Sequence, residues 1–446
     1  MKKKVLLVVS LALCVCLFSS CALVPLAGLS SMLPNDDTPA VPAATAAAAT
    51  AVPAASAPTA APAVSGDTVT ISREQYERYR QFDLLLEIMD NVDTYYYQDV
   101  ETDDMIQGAA AGLLDAIGDP YTFYYTPEEY AQLWEDDAGE YAGIGVQISA
   151  SYTTQICTIT RVFEGGPAMA AGVRKGDILY KVGEDLIVTA ETLSDAVAIM
   201  RGTPGTDVDV TFIRNGEEYT VTMTRATVTV NRIDSAMLDD RIGYIWLYEF
   251  AGNCAEEFAA ALNGLMEKNL QGLIIDLRDN GGGWVEDARS IADLFLPAGT
   301  LCYLEYKSGD RDYYRTYTDG KEVSFPVVIL VNENTASSSE ILTGCMRDRY
   351  NALVVGTVSY GKGIVQGVMS VGSEGAGMQV TEAQYFTPNG NAVHKIGITP
   401  DVICEMPEDA PTMYDFGDLS DAQLKAAYDA MITLLDGEGA ADAPDA

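Results

Sequence analysis

The chain has 446 residues, which is long enough for two or three domains with separate cores. It carries 27 Lys and Arg residues against 65 Asp and Glu residues, and so acidic a protein repels nucleic acid phosphates. A single histidine, His394, excludes zinc motifs that need two. Beyond the N-terminus the cysteines occur singly, without a CxxC pair, which argues against a zinc site and a disulfide framework. We therefore expect no metal, no other cofactor and no nucleic acid partner.

Residues 1–33 have the features of a signal peptide or membrane anchor. Lysines 2–4 precede an apolar run, and the charge-free stretch 5–33 is long enough to span a bilayer. The sequence FSSC, which ends at Cys21, resembles a lipoprotein processing site and makes Cys21 a candidate for lipidation. Lipoprotein, uncleaved anchor and secreted protein remain three alternatives. Each places the folded part outside the cytoplasm, in a bacterial cell envelope or beyond it.

Residues 34–68 form an Ala/Pro/Thr-rich linker, a composition that favours an extended, disordered tether. An N-terminal helical region is predicted at 69–137. Ser72 and Gln75 have the spacing of a capping box, and later helices are expected to end near Gly118 and to begin at Thr126. Four apolar side chains recur at helical spacing and are predicted to be core: Tyr76, Tyr79, Leu86 and Met89.

Residues 138–228 change to short alternating strands around one helix at about 192–200. The stretch GPAMAAGVRKGDIL resembles the GPA…AGL…GD.I pattern of PDZ domains. A PDZ groove adds an extended peptide to a sheet edge and holds its terminal carboxylate with loop amides. The resemblance implies that Gly143, Ile144 and Gly145 form this loop.

Residues 229–413 alternate apolar strands with helices, which predicts an α/β layer fold. A C-terminal helix is predicted to open at Ser420 and to end at Gly437, within a region 414–446 that finishes as an acidic tail. The expected fold class is thus multidomain α+β, with a helical unit, a PDZ domain and an α/β domain.

Three places in the α/β domain could carry chemistry. The glycine-rich run at 279–283 follows a buried strand and could present N–H groups to an anion, or be a simple turn. Ser337 stands between a strand and a helix, where helix N–H groups favour an oxyanion, but where serine is also a common cap. Lys362 lies between two glycines; as a general base it must be neutral, and otherwise it is a solvated turn lysine.

The stretch VNENTASSSEILTGCMRDRYNALVVGTVSYGKGIVQ resembles the active-site region of the carboxyl-terminal processing, or tail-specific, proteases. The resemblance implies a crotonase/ClpP-like α/β serine peptidase domain with Ser337 as nucleophile and Lys362 as base. It also implies that Gln366 orients the lysine amine, and that the Gly282 and Ser338 amides form the oxyanion hole. Gly281 replaces the family's usual proline and is expected to loosen that loop.

The function implied is an extracytoplasmic serine endopeptidase that binds accessible C-termini of proteins or peptides through its PDZ domain. Membrane attachment would come from the N-terminal anchor or a lipid, and homo-oligomerisation is left open. There are two alternatives, the first of a different class and the second a different enzyme. One is a catalytically inactive PDZ scaffold, and the other reads Ser359-x-x-Lys362 as the SxxK motif of penicillin-binding proteins, which the flanking glycines argue against because that motif is helical. His394 is expected to be structural and is the alternative base.

Overall fold

The computed structural model describes residues 69–137, 139–151, 154–317, 320–407, 410 and 416–441. The predicted signal or anchor at 1–33, with Cys21, and the linker at 34–68 lie outside these residues. The chain divides into an N-terminal unit, described from residue 69 to 117, and a main unit that begins at residue 118. Within the described ranges, no helix is both long and apolar enough to cross a membrane.

The N-terminal unit is built of three helices. The Ser72 capping box is confirmed, since the Gln75 N–H donates to Ser72 Oγ at 3.1 Å and the Ser72 N–H donates to Gln75 Oε1 at 3.0 Å. The predicted core is wrong for Tyr76, Tyr79 and Leu86, which are all at least half exposed because these helices have no second layer in their unit to cover them, whereas Met89 is partly buried. The elements are α1 (Arg73–Tyr79), a 3₁₀ turn (Arg80–Phe82), α2 (Asp83–Tyr95) and α3 (Thr102–Asp115).

The main unit begins earlier than the predicted boundary at residue 137. Strand β1 (Phe123–Tyr125) pairs with a strand near the other end of the chain, with Phe123 opposite Gln379. Helix α4 (Pro127–Asp137) follows it. Residues 118–137 therefore belong with the sheet that contains this later strand rather than with the preceding helices, because tertiary strand pairing decides their place.

The region predicted as a PDZ domain forms a sheet with strand order β3-β4-β5-β7-β8, and β6 pairs with β5. Strand β3 lies at the edge of this sheet, and β2 pairs separately with β9. The elements are β2 (Glu140–Gly143), β3 (Val146–Ser151), β4 (Ile156–Val162), α5 (Pro167–Ala170), β5 (Ile178–Val182), β6 (Leu186–Ile187), α6 (Leu193–Met200), β7 (Asp207–Arg214), β8 (Glu217–Thr224) and β9 (Ala226–Thr229).

The remaining elements confirm the predicted α/β layer fold. One sheet has the order β10-β11-β12-β15-β16-β19 and is parallel from β11 onward, and a second sheet joins β1, β18, β13 and β14, with β17 on β18. The elements are β10 (Ile233–Met237), β11 (Ile242–Leu247), α7 (Cys254–Met266), β12 (Gly272–Asp276), α8 (Val285–Asp293), β13 (Gly299–Tyr306), β14 (Arg311–Thr316), β15 (Val327–Val331), α9 (Ser338–Cys345), a π-helical turn (Met346–Tyr350), β16 (Leu353–Gly356), β17 (Ile364–Val371), β18 (Ala376–Phe386), β19 (Val402–Ile403) and α10 (Ala422–Ala441).

The parallel sheet is covered on both faces, which explains why β12 and β15 are apolar and buried at nearly every position. One face packs against α7, α8 and α9, and the other against α10. The last helix differs from its prediction at both ends. Asp421 rather than Ser420 caps it, since Asp421 Oδ1 accepts the Gln423 N–H at 2.9 Å, and the helix continues through Gly437.

A buried ion network fixes α10 to the end of β12. The Arg278 guanidinium lies 2.7 Å from Asp276 on its own strand end and 2.7 Å from Asp421 at the start of α10. The Tyr244 hydroxyl donates to Asp276 at 2.8 Å. Although burial opposes the charged form, the two carboxylates raise the pKa of Arg278, so its guanidinium is charged at neutral pH.

Removing this arginine should destabilise the main unit strongly. We expect Arg278→Met to lower the free energy of unfolding by about 3–5 kcal/mol, because it leaves two buried carboxylates without their cation. Denaturant unfolding can be followed by the fluorescence of Trp246, whose ring lies 6.0 Å from the guanidinium. Arg311→Met is the matched control: its ion pair with Glu305 is exposed, so a change within about 1 kcal/mol is expected. Equal effects of the two substitutions would contradict this account.

Candidate active site

Ser337 occupies a strained turn between β15 and α9. Its backbone has φ 59° and ψ −120°, a conformation that non-glycine residues rarely adopt and that tends to be stored at functional sites. The residue is fully buried, as is every residue of α9. A serine on such a strand-to-helix turn directs its hydroxyl toward the helix N-terminus, where unpaired N–H groups favour developing negative charge.

The Glu340 carboxylate joins this turn to the loop that carries Lys362. Oε2 accepts the Ser337 N–H and the Lys362 N–H, both at 2.9 Å. Oε1 accepts the Ser359 hydroxyl at 2.5 Å and the Gly361 N–H at 2.8 Å. Burial raises the pKa of the Glu340 carboxyl, while these four donors act in the opposite direction. Two N–H groups that share one oxygen atom bring the two backbones within a few ångströms of each other.

Lys362 is held in an extended loop whose glycines are required by packing. A Cβ at Gly363 would lie 2.1 Å from the His394 nitrogen, and one at Gly361 would lie 2.9 Å from the Gly397 nitrogen. The Lys362 residue is only 5% exposed, so the prediction of a solvated turn lysine is wrong. The SxxK reading is also wrong, because this loop is not helical and Ser359 donates its hydroxyl to Glu340.

Gln366 lies on β17 and is fully buried. Its Nε2 donates to Thr381 Oγ1 at 3.2 Å, and its Oε1 is buried without a hydrogen-bond partner among the described residues. A buried carbonyl oxygen without a donor is costly and therefore calls for explanation. The predicted role of orienting the Lys362 amine would use this acceptor, and it stays a prediction.

The glycine-rich loop lies directly against the turn that carries Ser337. A Cβ at Gly282 would lie 2.7 Å from Ser337 Cβ, which only glycine avoids, and its φ of 101° also favours glycine. The side chain and the backbone carbonyl of Asn280 anchor the loop: Asn280 Nδ2 donates to Leu247 O at 2.9 Å, and the Asn280 carbonyl accepts the Ser339 hydroxyl at 3.0 Å. These contacts hold the residue that precedes Gly281, and the expected loosening by Gly281 stays a prediction.

The predicted oxyanion donors are both present at this junction. Gly282 N–H, however, donates to Asn280 Oδ1 at 2.9 Å, so an oxyanion that uses this donor must replace the Asn280 oxygen. Ser338 begins α9, and its hydroxyl donates to Gly283 O at 2.7 Å, which ties the helix start to the loop. The oxyanion roles of the Gly282 and Ser338 amides stay predictions.

The predicted carboxylate-binding loop joins β2 to the edge strand β3. Ile144 is buried in the core of the PDZ sheet and its carbonyl accepts the Ala168 N–H at 2.8 Å. Gly145 has φ 84°, and a Cβ at this position would approach Gly166 Cα to 3.3 Å. The C-terminal end of α6 reaches the loop, since Gly202 N–H donates to the Ala142 carbonyl at 3.3 Å, so Gly143 lies between an edge strand and a helix.

His394 lies in the loop after β18, with its backbone against Gly363. Burial and the nearby Lys395 lower the pKa of its imidazole, so it is neutral near pH 7. Its Nδ1 is buried and has no hydrogen-bond partner among the described residues. The loop position agrees with the expected structural role.

Two residues of the site were not predicted. Glu340 follows Ser337 by three positions, the same capping-box spacing that identified the first helix, and this pattern could have singled it out. Asn280 gave no signal beyond its turn propensity. Within the described ranges no group of three or more His, Cys, Asp or Glu side chains could hold a metal ion, and no disulfide links the cysteines there.

Comparison with known proteins agrees with this architecture. A family model described as peptidase family S41 matches residues 241–404, and one described as PDZ domain matches residues 142–224. The carboxyl-terminal-processing protease of Synechocystis sp. is 34% identical over 328 residues, which cover 71% of this chain and 74% of that protein. The carboxy-terminal processing protease CtpA of Bacillus subtilis is 32% identical over 336 residues, which cover 75% and 71% respectively.

A solved structure gives the same result for the fold. The photosystem II D1 C-terminal processing protease aligns with 80% of this chain and 97% of its own, at a TM-score of 0.51 and 27% sequence identity. The predicted combination of a PDZ domain with an α/β serine peptidase domain is thereby confirmed. The chain belongs to the carboxyl-terminal processing proteases of peptidase family S41 and is a PDZ-containing serine-type peptidase.

Proposed function

We propose that this protein is an extracytoplasmic endopeptidase that captures substrate C-termini in its PDZ groove and cleaves with a Ser337–Lys362 dyad. The observation that carries the proposal is the Glu340 carboxylate, which binds the backbone N–H groups of both residues. Three further features support it: the strained Ser337 backbone, the burial of Lys362, and the contact between Gly282 and the nucleophile turn.

The chemistry follows from these positions. Neutral Lys362 accepts the proton of the Ser337 hydroxyl while Oγ attacks the scissile carbonyl carbon. The Ser338 and Gly282 amides bind the tetrahedral oxyanion. The Lys362 ammonium then gives its proton to the leaving amine as the C–N bond breaks, and an acyl-enzyme remains. Water attacks the ester with Lys362 again as base, which releases the new C-terminus and restores Ser337.

Removing either dyad residue should abolish proteolysis without unfolding the protein. We expect Ser337→Ala to lower kcat/KM by about 10⁴-fold or more and Lys362→Ala by about 10³-fold, measured on an unfolded model protein. Lys268→Ala is the matched control for the lysine, because its side chain is exposed in the turn that follows α7 and its removal should leave cleavage unchanged.

Cleavage that persists in Ser337→Ala or Lys362→Ala would contradict the dyad. Ser338 or Ser339 would then be the candidate nucleophile, or His394 the candidate base. A wild-type protein that binds tails but cleaves none of a panel of unfolded substrates would instead favour the inactive PDZ scaffold.

Glu340→Gln should separate positioning from chemistry. A glutamine amide cannot accept on both sides of its head group, so two of the four donors lose their partner and the nucleophile turn separates from the lysine loop. We expect kcat to fall by about 100-fold while KM stays within a few-fold, because misplacement of reacting groups costs rate rather than binding. Glu333→Gln, an exposed glutamate nearby, is the control. An active Glu340→Gln enzyme would contradict the bridging role.

The tail-binding part of the proposal is supported by the open edge of β3 and by the adjoining loop at 143–145. Loop amides that hold a carboxylate should distinguish a free C-terminus from an amidated one. We expect amidation of the substrate's C-terminus to raise KM by about tenfold, because charge-assisted hydrogen bonds are lost. The control is a peptide that is acetylated at its N-terminus and keeps a free C-terminal carboxylate. Equal KM values for free and amidated tails would contradict carboxylate capture.

The extracytoplasmic location is proposed from lysines 2–4 and the apolar, charge-free stretch 5–33 that follows them. Three alternatives remain for the mature protein: a lipid on Cys21, an uncleaved anchor, or release after cleavage. The mass of the mature N-terminal peptide and cell fractionation distinguish them. Recovery of the full-length chain from the cytoplasm would contradict the proposal.

A further inference from the structure

The segment 119–125 forms a wall of the lysine site, although it precedes the PDZ domain in the chain. It is fixed to β18 by more than the β1 pairing. Tyr121 O accepts Gln379 Nε2 at 3.0 Å, and Thr122 Oγ1 accepts the Thr381 N–H at 3.0 Å. The side chains of this segment therefore have defined positions relative to β17, β18 and the loop that carries Lys362.

The Tyr121 ring covers the Lys362 amine. Lys362 Nζ lies 4.8 Å from the ring centroid, within the range of a cation–π contact, and the lysine is nearly excluded from water. Tyr121 and Tyr360 are hydrogen-bonded through their hydroxyls at 3.3 Å, which holds the ring in place. Burial and this bond raise the pKa of the Tyr121 hydroxyl, so the ring is neutral and contributes only its π face.

Asp119 lies two residues before Tyr121 in the chain, and its carboxylate is held by hydrogen-bond donors. Thr122 Oγ1 donates to Oδ2 at 2.7 Å and the Tyr121 N–H donates to Oδ1 at 3.1 Å. Partial burial opposes ionisation, but hydrogen bonds from Thr381, Thr122 and Tyr121, together with the charge of Lys362, lower the pKa of Asp119. The site thus contains a carboxylate close enough to interact with the lysine charge.

Asp119 also favours one orientation of the Gln366 amide. A hydrogen bond from Thr381 is among the causes that lower the pKa of Asp119, and because an ionised carboxylate only accepts, this bond uses the single proton of the Thr381 hydroxyl. Thr381 Oγ1 can then only accept from Gln366, which it does from Nε2 at 3.2 Å. The remaining Gln366 atom, Oε1, is the buried acceptor without a partner among the described residues. Such an acceptor suits a lysine ammonium.

Other charged or titratable groups face Lys362 from three sides. Glu340 accepts its backbone N–H, and Tyr360 bonds to the covering ring. In the loop against Gly361 and Gly363, His394 is neutral near pH 7 and Lys395 is exposed. Among these, only Lys395 opposes a positive charge on Lys362 at neutral pH.

We propose that Asp119 and Tyr121 are positioning residues that hold the Lys362 amine as an ammonium and thereby set the pH above which Lys362 can accept the Ser337 proton. The inference rests on the proposed role of Lys362 as the general base. Both groups stabilise the charged form: the ring through its π face, and the carboxylate through its charge and through the Thr381–Gln366 chain. At neutral pH they therefore lower the fraction of Lys362 that is neutral and able to act as base, and this fraction grows as the pH rises.

The test is the pH dependence of kcat/KM for the full-length enzyme and three variants. Asp119→Asn keeps the shape but removes the charge, and Tyr121→Leu keeps an apolar cover but removes the π face. Losing a group that favours the ammonium makes the neutral amine available at lower pH. We therefore expect the alkaline-rising limb of both profiles to move by about one pH unit toward acid. Tyr121→Phe retains the π face and should keep the wild-type midpoint.

Asp103→Asn, in the N-terminal unit, is the control for charge removal and should leave the whole profile unchanged. Profiles of Asp119→Asn and Tyr121→Leu that coincide with wild type, or that move toward alkaline pH, would overturn the inference. If one variant fails to fold, the other decides alone, since each removes a separate interaction. Lys362→Ala distinguishes failure of the proposed function from failure of this inference. An active Lys362→Ala enzyme would contradict Lys362 as the base. An inactive Lys362→Ala enzyme, together with unshifted Asp119→Asn and Tyr121→Leu profiles, would contradict only the roles of Asp119 and Tyr121.

Discussion

The active site depends on one buried carboxylate. A carboxylate removed from water is costly unless donors replace its hydration, and Glu340 accepts four, from Ser337, Ser359, Gly361 and Lys362. Those donors come from two loops that are separated by all of α9 and β16. The solvation requirement of a single side chain therefore brings together Ser337 and Lys362, the proposed nucleophile and base. It also explains why Ser337 can keep a strained backbone, because its N–H is fixed from within the helix that it begins.

Close backbone packing is the second constraint. Gly282, Gly361 and Gly363 each lie where a Cβ would collide with the neighbouring loop, so the site is assembled from main chain in direct contact. The Gly282 N–H is engaged by Asn280, and an oxyanion must compete for it. With Tyr121 above Lys362, both parts of the proposed catalytic site are thus held by groups of the protein itself: the proposed oxyanion donor by an amide oxygen and the Lys362 amine by an aromatic ring.

Much of this arrangement could be predicted from sequence because it depends on local chemistry. Apolar strands alternating with helices indicated the layered fold, and glycines beside Lys362 indicated a non-helical loop. The contacts of Glu340, Asp119 and Tyr121 could not be predicted, since they join segments that are far apart in the chain. Residues 118–137 were assigned to the wrong unit for the same reason. The core prediction for the first helices was wrong for a different reason. Most of their apolar residues at helical spacing are exposed, because periodicity shows which face is apolar but not what covers it.

The most direct test of the central claim is covalent labelling of the full-length protein with a fluorophosphonate, followed by peptide mass mapping. The account predicts one adduct, on Ser337, absent in Ser337→Ala and formed about 100-fold more slowly in Lys362→Ala, because the lysine activates the serine. An adduct on Ser338 or Ser339, or a labelling rate that does not depend on Lys362, would contradict the dyad.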